Sequence, residues 1–363
     1  MNLNEAPRTS SRISVLRRLL GEHEADAALV SFLPDIRWAV GFTGSNALLV
    51  VTPEAAHFFT DSRYTTQAGA EVEGAEVHVP SSDLVEFLAE SDMLDGADTV
   101  LCQADHLTVA QYDRLREQLA QVTFRPVAGL LEKHVASKLE AEIDAIRRAL
   151  SVTESVFEGL LPQIGPGVTE QDLAAEIVYQ HLKLGASAMS FEPIVASGIR
   201  GALPHARPSS KTLRPCELVV IDMGGIVDGY ASDMTRTVAI GEPDDTARRA
   251  YDVVLEAQEA ATAAVRAGAS GKALDRVARD VIEEAGLGEY FSHSLGHGVG
   301  LQVHEWPRLS YRADDTLPEN AVVTVEPGVY LPERFGIRIE DMVVARADGP
   351  EVLTRATKDL LIL

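Results

Sequence analysis

Short apolar runs alternate with amphipathic stretches in the first third of the chain. Residues 11–23 carry apolar side chains at helical spacing, which predicts an amphipathic helix. Apolar runs of strand length lie at residues 27–31 and 47–51, and residues 56–60 are predicted to form another strand. The segment 41–46, GFTGSN, is typical of a turn-rich loop between two of these strands. The alternation of helices and strands predicts an α/β domain.

A long amphipathic helix is predicted to open the second part of the chain. Ser137 and Glu140 have the spacing of a capping box, in which each side chain accepts from an exposed N–H of the first helical turn. Apolar residues then continue at helical spacing to Leu160. We therefore place a domain boundary near residue 132, with a first domain over residues 1–132 and a second over residues 133–363.

The second domain carries a faint internal repeat. The segment 167–173 begins a predicted helix that ends near Gly185, and the segment 268–274 begins another that ends near Gly286. The offset is 101 residues at both landmarks. Each of these helices follows a longer one and precedes a strand-rich stretch. The pattern fits two related halves, each a helix pair on strands, and fits equally well two unrelated helices with ordinary caps.

Two acidic residues lie near a predicted hairpin. Asp222 ends the apolar run 218–221, and Asp228 with Gly229 forms a strong hairpin signal. A turn at these two residues would set Asp233, on the return strand, opposite Gly224. Asp222 then points to the same face as Asp233. Two carboxylates on one face repel each other, and a metal ion between them removes that repulsion.

Two more acidic residues occur in apolar strand-like runs. Glu326 follows the run 322–325, and Glu340 lies in the segment 336–342. Alternation along a strand puts Arg338 on the same face as Glu340. Burial of a carboxylate is costly unless it is paired or binds a metal. A single such residue is most simply explained by exposure at a sheet edge, but four acidic residues in such settings favour a metal site.

Three histidines are further candidates for the predicted metal site and its surroundings. His297 has glycine on both sides, so the backbone can approach closely to a site. His304 and His205 occur in similar turn-rich settings. Each histidine taken alone is more simply explained as a solvated loop residue.

Composition narrows the possible partners and locations. The formal net charge of -23 argues against binding to nucleic acid, because phosphates would be repelled. The sequence contains no run of eighteen apolar residues, so no membrane span is expected. The first residues lack the apolar region of a signal peptide, so a cytoplasmic location is expected. The two cysteines are too few for a disulfide framework or a thiolate zinc site.

These motifs together resemble the creatinase/methionine aminopeptidase superfamily, and its proline-specific branch most closely. The resemblance extends from about residue 137 to the C-terminus through the segments 221–224, 229–237, 293–300, 303–305, 325–328 and 337–341. The segments 41–46 and 60–64 are similar to the smaller domain of creatinase-type proteins. The resemblance implies an α/β N-terminal creatinase-like domain plus an α+β C-terminal pita-bread domain, with a curved antiparallel sheet and pseudo-twofold helix pairs.

The resemblance also implies roles for individual residues. Two divalent metal ions, with Mn²⁺ the expected ion and Co²⁺ or Zn²⁺ as alternatives, would be held by Asp222, Asp233, His297, Glu326 and Glu340. Two such ions can lower the pKa of a water and direct it at a carbonyl. Glu326, His205 and His304 are the expected catalytic residues. The expected substrate contacts are His205, His304, Arg338 and Tyr230, with Arg338 alternatively steadying the acidic residues.

The function implied is a peptidase for peptides with proline at the second position. The short first domain with its GFTGSN segment favours an Xaa-Pro aminopeptidase, and an Xaa-Pro dipeptidase (prolidase) is the alternative. A metal-free creatinase-like enzyme or a non-catalytic binding module is a distant third, because such relatives should have replaced metal ligands, whereas all five positions are intact. A homodimer is expected, with a tetramer as the alternative, and no membrane partner.

Overall fold

The structure, a computed structural model, describes residues 8–363, with side chains described from residue 12. The chain divides into two compact units, Met1–Val135 and Ala136–Leu363. The predicted boundary near residue 132 lies close to this division and stays a prediction, and residues 1–7 of the first predicted domain lie outside the described residues. No helix in the described range is both long and apolar enough to cross a lipid bilayer.

Helices and strands alternate along the first unit and are grouped in the second. The helices are α1 (Arg8–Glu22), α2 (Leu33–Val40), α3 (Thr65–Glu71), α4 (Leu84–Glu90), α5 (Val109–Gln118), α6 (Glu132–Ala136), α7 (Glu140–Leu160), α8 (Glu170–Lys183), α9 (Asp245–Ala264) and α10 (Gly271–Glu284). The strands of the first unit are β1 (Ala27–Val30), β2 (Ala47–Val51), β3 (Ala56–Thr60), β4 (Glu76–His78), β5 (Thr99–Gln103) and β6 (Thr123–Val127). The strands of the second unit are β7 (Ala188–Met189), β8 (Ile194–Ser197), β9 (Leu218–Met223), β10 (Gly225–Val227), β11 (Tyr230–Ala231), β12 (Met234–Ala239), β13 (Gly296–Gly298), β14 (Glu305–Leu309), β15 (Val322–Val325), β16 (Gly328–Leu331), β17 (Phe335–Arg338), β18 (Asp341–Ala345) and β19 (Pro350–Val352).

The first unit is built on a mixed six-stranded sheet in the order β4-β3-β2-β1-β5-β6. Strands β1, β2 and β3 pair antiparallel, whereas β4, β5 and β6 each join the sheet in parallel. Leu29, Val50 and Phe59 bury one face of the sheet against apolar residues of α4 and α5. The α/β prediction is confirmed, and the predicted strands 47–51 and 56–60 coincide with β2 and β3.

The second unit repeats a helix pair, α7 with α8 and α9 with α10. Both bounds of α10 fall 101 residues after those of α8. Thr169 and Ser270 cap these helices through their hydroxyl groups, and Gly185 and Gly286 follow them with positive φ. The repeat therefore extends to the helix caps and turns, and the interpretation as two related halves is favoured over that of unrelated helices.

Each helix pair buries an apolar face on antiparallel strands. Helices α7 and α8 pack on the sheet β12-β9-β8, with Ile146 and Ile177 in one core cluster with Ile221. Helices α9 and α10 share a second cluster with residues of β15 and β17. Complete burial of one such side chain contributes about 1.5–3 kcal/mol. The Glu340 amide joins the two groups of strands by donating to the Thr235 carbonyl at 3.1 Å.

The predicted cap of α7 is wrong in position. The helix begins at Glu140, and the carboxylate of Glu142 accepts from the Leu139 amide at 2.8 Å. The hydroxyl of Ser137 donates instead to the Glu319 carbonyl at 2.8 Å. Because Ser137 is bound to a distant loop, the capping role passes to Glu142.

Candidate metal centre

The predicted hairpin places the first two acidic residues. Asp228 and Gly229 have φ of 51° and 76°, the left-handed backbone that this turn requires. Val227 pairs with Tyr230 before the turn, and Met223 pairs with Met234 further along in the same register. This register brings Asp233 opposite Gly224, so the predicted turn and pairing are confirmed. Both aspartates are buried.

The other three predicted ligands lie at the ends or in the middle of short strands. His297 is the central residue of β13, Glu326 directly follows β15, and Glu340 lies between β17 and β18. A bulge follows His297 in its pairing with β14. Irregular backbone next to a site is common, because it turns a side chain out of the regular alternation.

One cavity of about 480 Å³ brings these side chains together. All five predicted ligands line it, together with His205, His304 and Arg338. The remaining lining residues are Phe191, Glu192, Pro193, Ile194, Pro204, Ala206, Arg207, His293, Ser294, Gly296 and Arg308. Tyr230, predicted as a substrate contact, is not among them. Its hydroxyl donates to the Glu142 carboxylate on α7 at 2.6 Å.

The ligand atoms are close enough to share ions. Asp233, His297 and Glu340 each offer an atom within 4.8 Å of the others. The Nε2 atom of His297 lies 3.3 Å from a Glu326 oxygen and 3.7 Å from an Asp233 oxygen. The Oδ1 atom of Asp222 is buried and has no hydrogen-bond partner among the described residues. Burial of an unpartnered oxygen among other carboxylates is costly unless it binds a cation or the carboxyl group is protonated.

The pKa shifts of the carboxyl groups show the same cost of burying several negative charges together. Burial, with added repulsion between the carboxylates, raises the pKa of Asp233 and Glu340 well above the ordinary range. Burial also raises the pKa of Asp222, although Arg338 opposes the rise. Burial opposes ionisation of Glu326 as well, but His297, His293 and Arg338 outweigh it and lower its pKa to about 2. Four carboxylates and one imidazole form a set of ligands that suits hard or borderline divalent cations such as Mn²⁺.

Two threonines hold the acidic side chains in place. The Thr235 hydroxyl donates to Glu340 at 2.7 Å. The Thr324 hydroxyl accepts from the His297 amide at 3.1 Å and donates to Glu326 at 3.2 Å. Such hydrogen bonds behind the ligands fix their orientation, and their loss commonly weakens metal binding.

The guanidinium of Arg338 is committed to protein groups. It donates to Asp222, to the Tyr330 hydroxyl at 2.7 Å and to the Pro204 carbonyl at 3.2 Å. Arg338 shares the cavity face with Glu340, as alternation predicts, while Ile337 and Ile339 lie in the core. Of its two predicted roles, this geometry favours steadying the acidic residues over contacting a substrate.

Two polar residues among the unpredicted lining residues, His293 and Arg308, bear on the chemistry of the cavity. His293 hydrogen-bonds to Tyr330 at 2.9 Å, and burial lowers its pKa. It lies in the segment 293–300 that carried the family resemblance, so the sequence held a signal for it. Arg308 pairs directly with His297 across β13 and β14, which turns both side chains to one face. The position of Arg308 opposite His297 follows from the strand register and could not be predicted from the sequence.

His304 lies beside His297, and its side chain is exposed. The ring centroids of His304 and His297 lie 4.3 Å apart. Burial and the neighbouring His297 lower the pKa of His304, so its imidazole is uncharged at neutral pH and can donate one N–H. His205 lines the same cavity and is exposed.

Comparison with known proteins gives consistent matches along the chain. Residues 144–347 match metallopeptidase family M24, and residues 12–134 match the creatinase/prolidase N-terminal domain. An Xaa-Pro dipeptidase of Pyrococcus furiosus is 32% identical, with 96% of this chain and 99% of the relative covered. The solved Xaa-Pro dipeptidase from Bacillus anthracis is 37% identical with a TM-score of 0.95, and the match covers 98% of this chain and 100% of that one. The X-Pro aminopeptidase from Thermotoga maritima is 38% identical with a TM-score of 0.88, over 95% of this chain and 100% of that one.

Proposed function

The chain belongs to metallopeptidase family M24, and from that premise we propose that it is an Xaa-Pro dipeptidase that requires divalent metal. Its fold is the creatinase-type N-terminal domain followed by the pita-bread domain, as the sequence resemblance implies. The observation that carries the dipeptidase proposal is Arg308, an exposed cation in the cavity, directly opposite His297. A dipeptidase must bind a free carboxylate next to the scissile bond, and an unpaired guanidinium suits that group.

This proposal reverses the preference taken from the sequence. The GFTGSN segment, which favoured an aminopeptidase, belongs to the first unit, whereas Arg308 belongs to the second. The aminopeptidase stays the second candidate, because the Thermotoga maritima neighbour is described as one. The apolar side chains Phe191, Pro193 and Ile194 offer a surface for the proline ring in either case.

Asp222, Asp233, His297, Glu326 and Glu340 are the residues that would hold two divalent ions, with Mn²⁺ as the proposed metal. Bound divalent ions polarise a carbonyl and lower the pKa of a water. Glu326, ionised at neutral pH, accepts a proton from the attacking water. His304, uncharged at neutral pH, donates a hydrogen bond to the oxyanion that develops on the peptide carbonyl. His205 contacts the substrate from the cavity wall.

Metal dependence is tested with the Asp233→Ala variant. We expect the purified variant to hold less metal than the wild type and to lose peptidase activity, because Asp233 lies within reach of both His297 and Glu340. Elemental analysis of dialysed protein, together with chelator treatment and Mn²⁺ addition, measures both effects. Full metal content and full activity in the variant would show that the ligands are assigned wrongly.

Substrate choice is tested by comparing three substrates with the same first residue: Xaa-Pro, Xaa-Pro-amide and Xaa-Pro-Yaa. A dipeptidase should hydrolyse Xaa-Pro with the highest kcat/KM, because only that substrate carries a carboxylate on proline. Higher kcat/KM for Xaa-Pro-Yaa would favour the aminopeptidase. The homodimer is likewise a proposal, and light scattering of the purified protein measures it.

A further inference from the structure

A second cluster of side chains that could bind a metal ion lies in the first unit. It consists of His57 on β3 and of Glu76 and His78 on β4. The His57 Nδ1 and His78 Nε2 atoms are 3.1 Å apart. Oxygens of Glu76 lie 3.7 Å from His57 Nδ1 and 4.0 Å from His78 Nε2.

Strand register explains why these three side chains meet. Strands β3 and β4 are parallel, with His57 paired to Glu76 and Phe59 paired to His78. Side chains two residues apart on a strand share a face, so all four point to the same side of the sheet. The convergence is therefore a property of the backbone pairing and does not depend on a chance surface rotamer.

The two imidazoles are held in position. The ring of His78 stacks on Phe59 with centroids 5.2 Å apart and an interplanar angle of 24°, and Phe87 of α4 lies 6.2 Å away. The side chains of His57 and His78 are 14% and 15% exposed, whereas that of Glu76 is 69% exposed. Two nearly fixed nitrogen ligands thus face a carboxylate that is free to move.

We propose that His57, Glu76 and His78 form a binding site for one divalent transition-metal ion of the Zn²⁺ class. Ligands at about 2.0–2.1 Å from a tetrahedral Zn²⁺ lie about 3.3 Å from one another. The nitrogen–nitrogen distance of 3.1 Å already matches that spacing. Only the exposed Glu76 must move to bring one oxygen to the same spacing from both nitrogens, and water completes the fourth position. Two imidazoles with one carboxylate favour Zn²⁺ or Cu²⁺ over Mg²⁺ and Ca²⁺.

The ion would connect an edge strand to its sheet. Strand β4 is three residues long and, among the strands of residues 8–363, pairs with β3 alone at the end of the six-stranded sheet. An ion bound by residues of both strands stabilises this pairing by mass action in proportion to its occupancy. The site is thereby structural in role, and its occupancy does not enter the peptide chemistry of the other unit.

The test compares zinc content and thermal stability in the full-length protein. Chelator-treated wild type, His57→Gln and His78→Gln are dialysed against the same buffered micromolar Zn²⁺, and bound zinc is measured by elemental analysis. We expect each variant to hold one equivalent per chain less than the wild type, with Xaa-Pro hydrolysis unchanged. Zinc should raise the midpoint of thermal unfolding more in the wild type than in either variant.

The matched control is His106→Gln. His106 also stacks on a phenylalanine, Phe32, at 3.6 Å between centroids, but among the described residues it belongs to no such ligand group. This variant should keep the wild-type zinc content. Equal zinc content in the wild type and both cluster variants would overturn the proposal and leave a hydrogen-bonded histidine pair. The comparison is independent of the catalytic centre, because any zinc bound there is common to all four proteins.

Discussion

Arg308 provides the sharpest test of how the cavity selects its substrate. Its side chain is exposed, lines the cavity and lies opposite His297 in the strand pairing. Within residues 8–363, no carboxylate lies in salt-bridge distance of its guanidinium, whereas Arg207 pairs with Glu192 and Arg338 with Asp222. Arg308 is therefore the cavity cation that is available to a substrate carboxylate.

The size of the effect follows from the kind of contact. A hydrogen bond to a charged group contributes about 1.5–3 kcal/mol. Because Arg308 is exposed to water, we take a value of about 2 kcal/mol, which corresponds to a factor of about 30 in kcat/KM. We expect Arg308→Met to lower kcat/KM for Xaa-Pro by that factor and to leave Xaa-Pro-amide nearly unchanged. The methionine keeps the aliphatic part of the side chain and removes the guanidinium with its charge and its N–H donors.

Arg312→Met is the matched control. Arg312 lies four residues further along the chain, its guanidinium packs over the Tyr311 ring at 4.9 Å, and it does not line the cavity. The control removes the same charge from the same region, so it corrects for long-range electrostatics. The assay measures initial rates for both substrates in Mn²⁺-loaded wild type and both variants. Equal losses for the dipeptide and its amide in Arg308→Met, or no loss for either, would refute the assignment of Arg308 to the substrate carboxylate.

Two further predictions concern metal binding and stability. Thr324→Val removes the hydroxyl that orients His297 and Glu326. We expect this variant to need a 10- to 100-fold higher Mn²⁺ concentration for half-maximal activity. An unchanged concentration would show that Thr324 has no such role. His181 is buried with its Nε2 3.0 Å from the Thr153 hydroxyl, and burial lowers its pKa below that of the unfolded chain. The unfolded chain therefore binds more protons as pH falls below about 6.5, so stability falls in that window. In urea unfolding, His181→Asn should lose less stability than wild type between pH 7.5 and pH 5.5, and equal losses would contradict the assignment.

The features that the sequence predicted correctly depend on local alternation and local turns. Strands β2 and β3 have the predicted bounds, because each is a short apolar run between polar residues. The hairpin at Asp228 and Gly229 has the predicted register, because a two-residue turn fixes the pairing of the strands beside it. Asp222 and Asp233 reach one cavity for the same reason.

Tyr230 lies on the face of the hairpin opposite that of Asp233. Asp233 lines the cavity, and the residues of the other parity in this segment, Tyr230 and Ser232, contact α7. The Ser232 hydroxyl lies 2.8 Å from that of Thr153 on α7, and the Tyr230 hydroxyl donates to Glu142 on the same helix. The parity that placed Asp233 in the site therefore excludes Tyr230 from it. The error concerns one residue and leaves the predicted ligand set unchanged.

Arg308 is a different case, because no local pattern could place it. Its partner His297 lies eleven residues earlier, across a glycine-rich loop and a bulge. A shift of one residue in this pairing would turn Arg308 to the opposite face and leave no unpaired cation beside the metal ligands. The proposed metal ligands are recognisable from short motifs because each motif fixes its own side chain. The proposed specificity for a dipeptide depends instead on Arg308, and only the pairing of distant strands places that residue opposite His297.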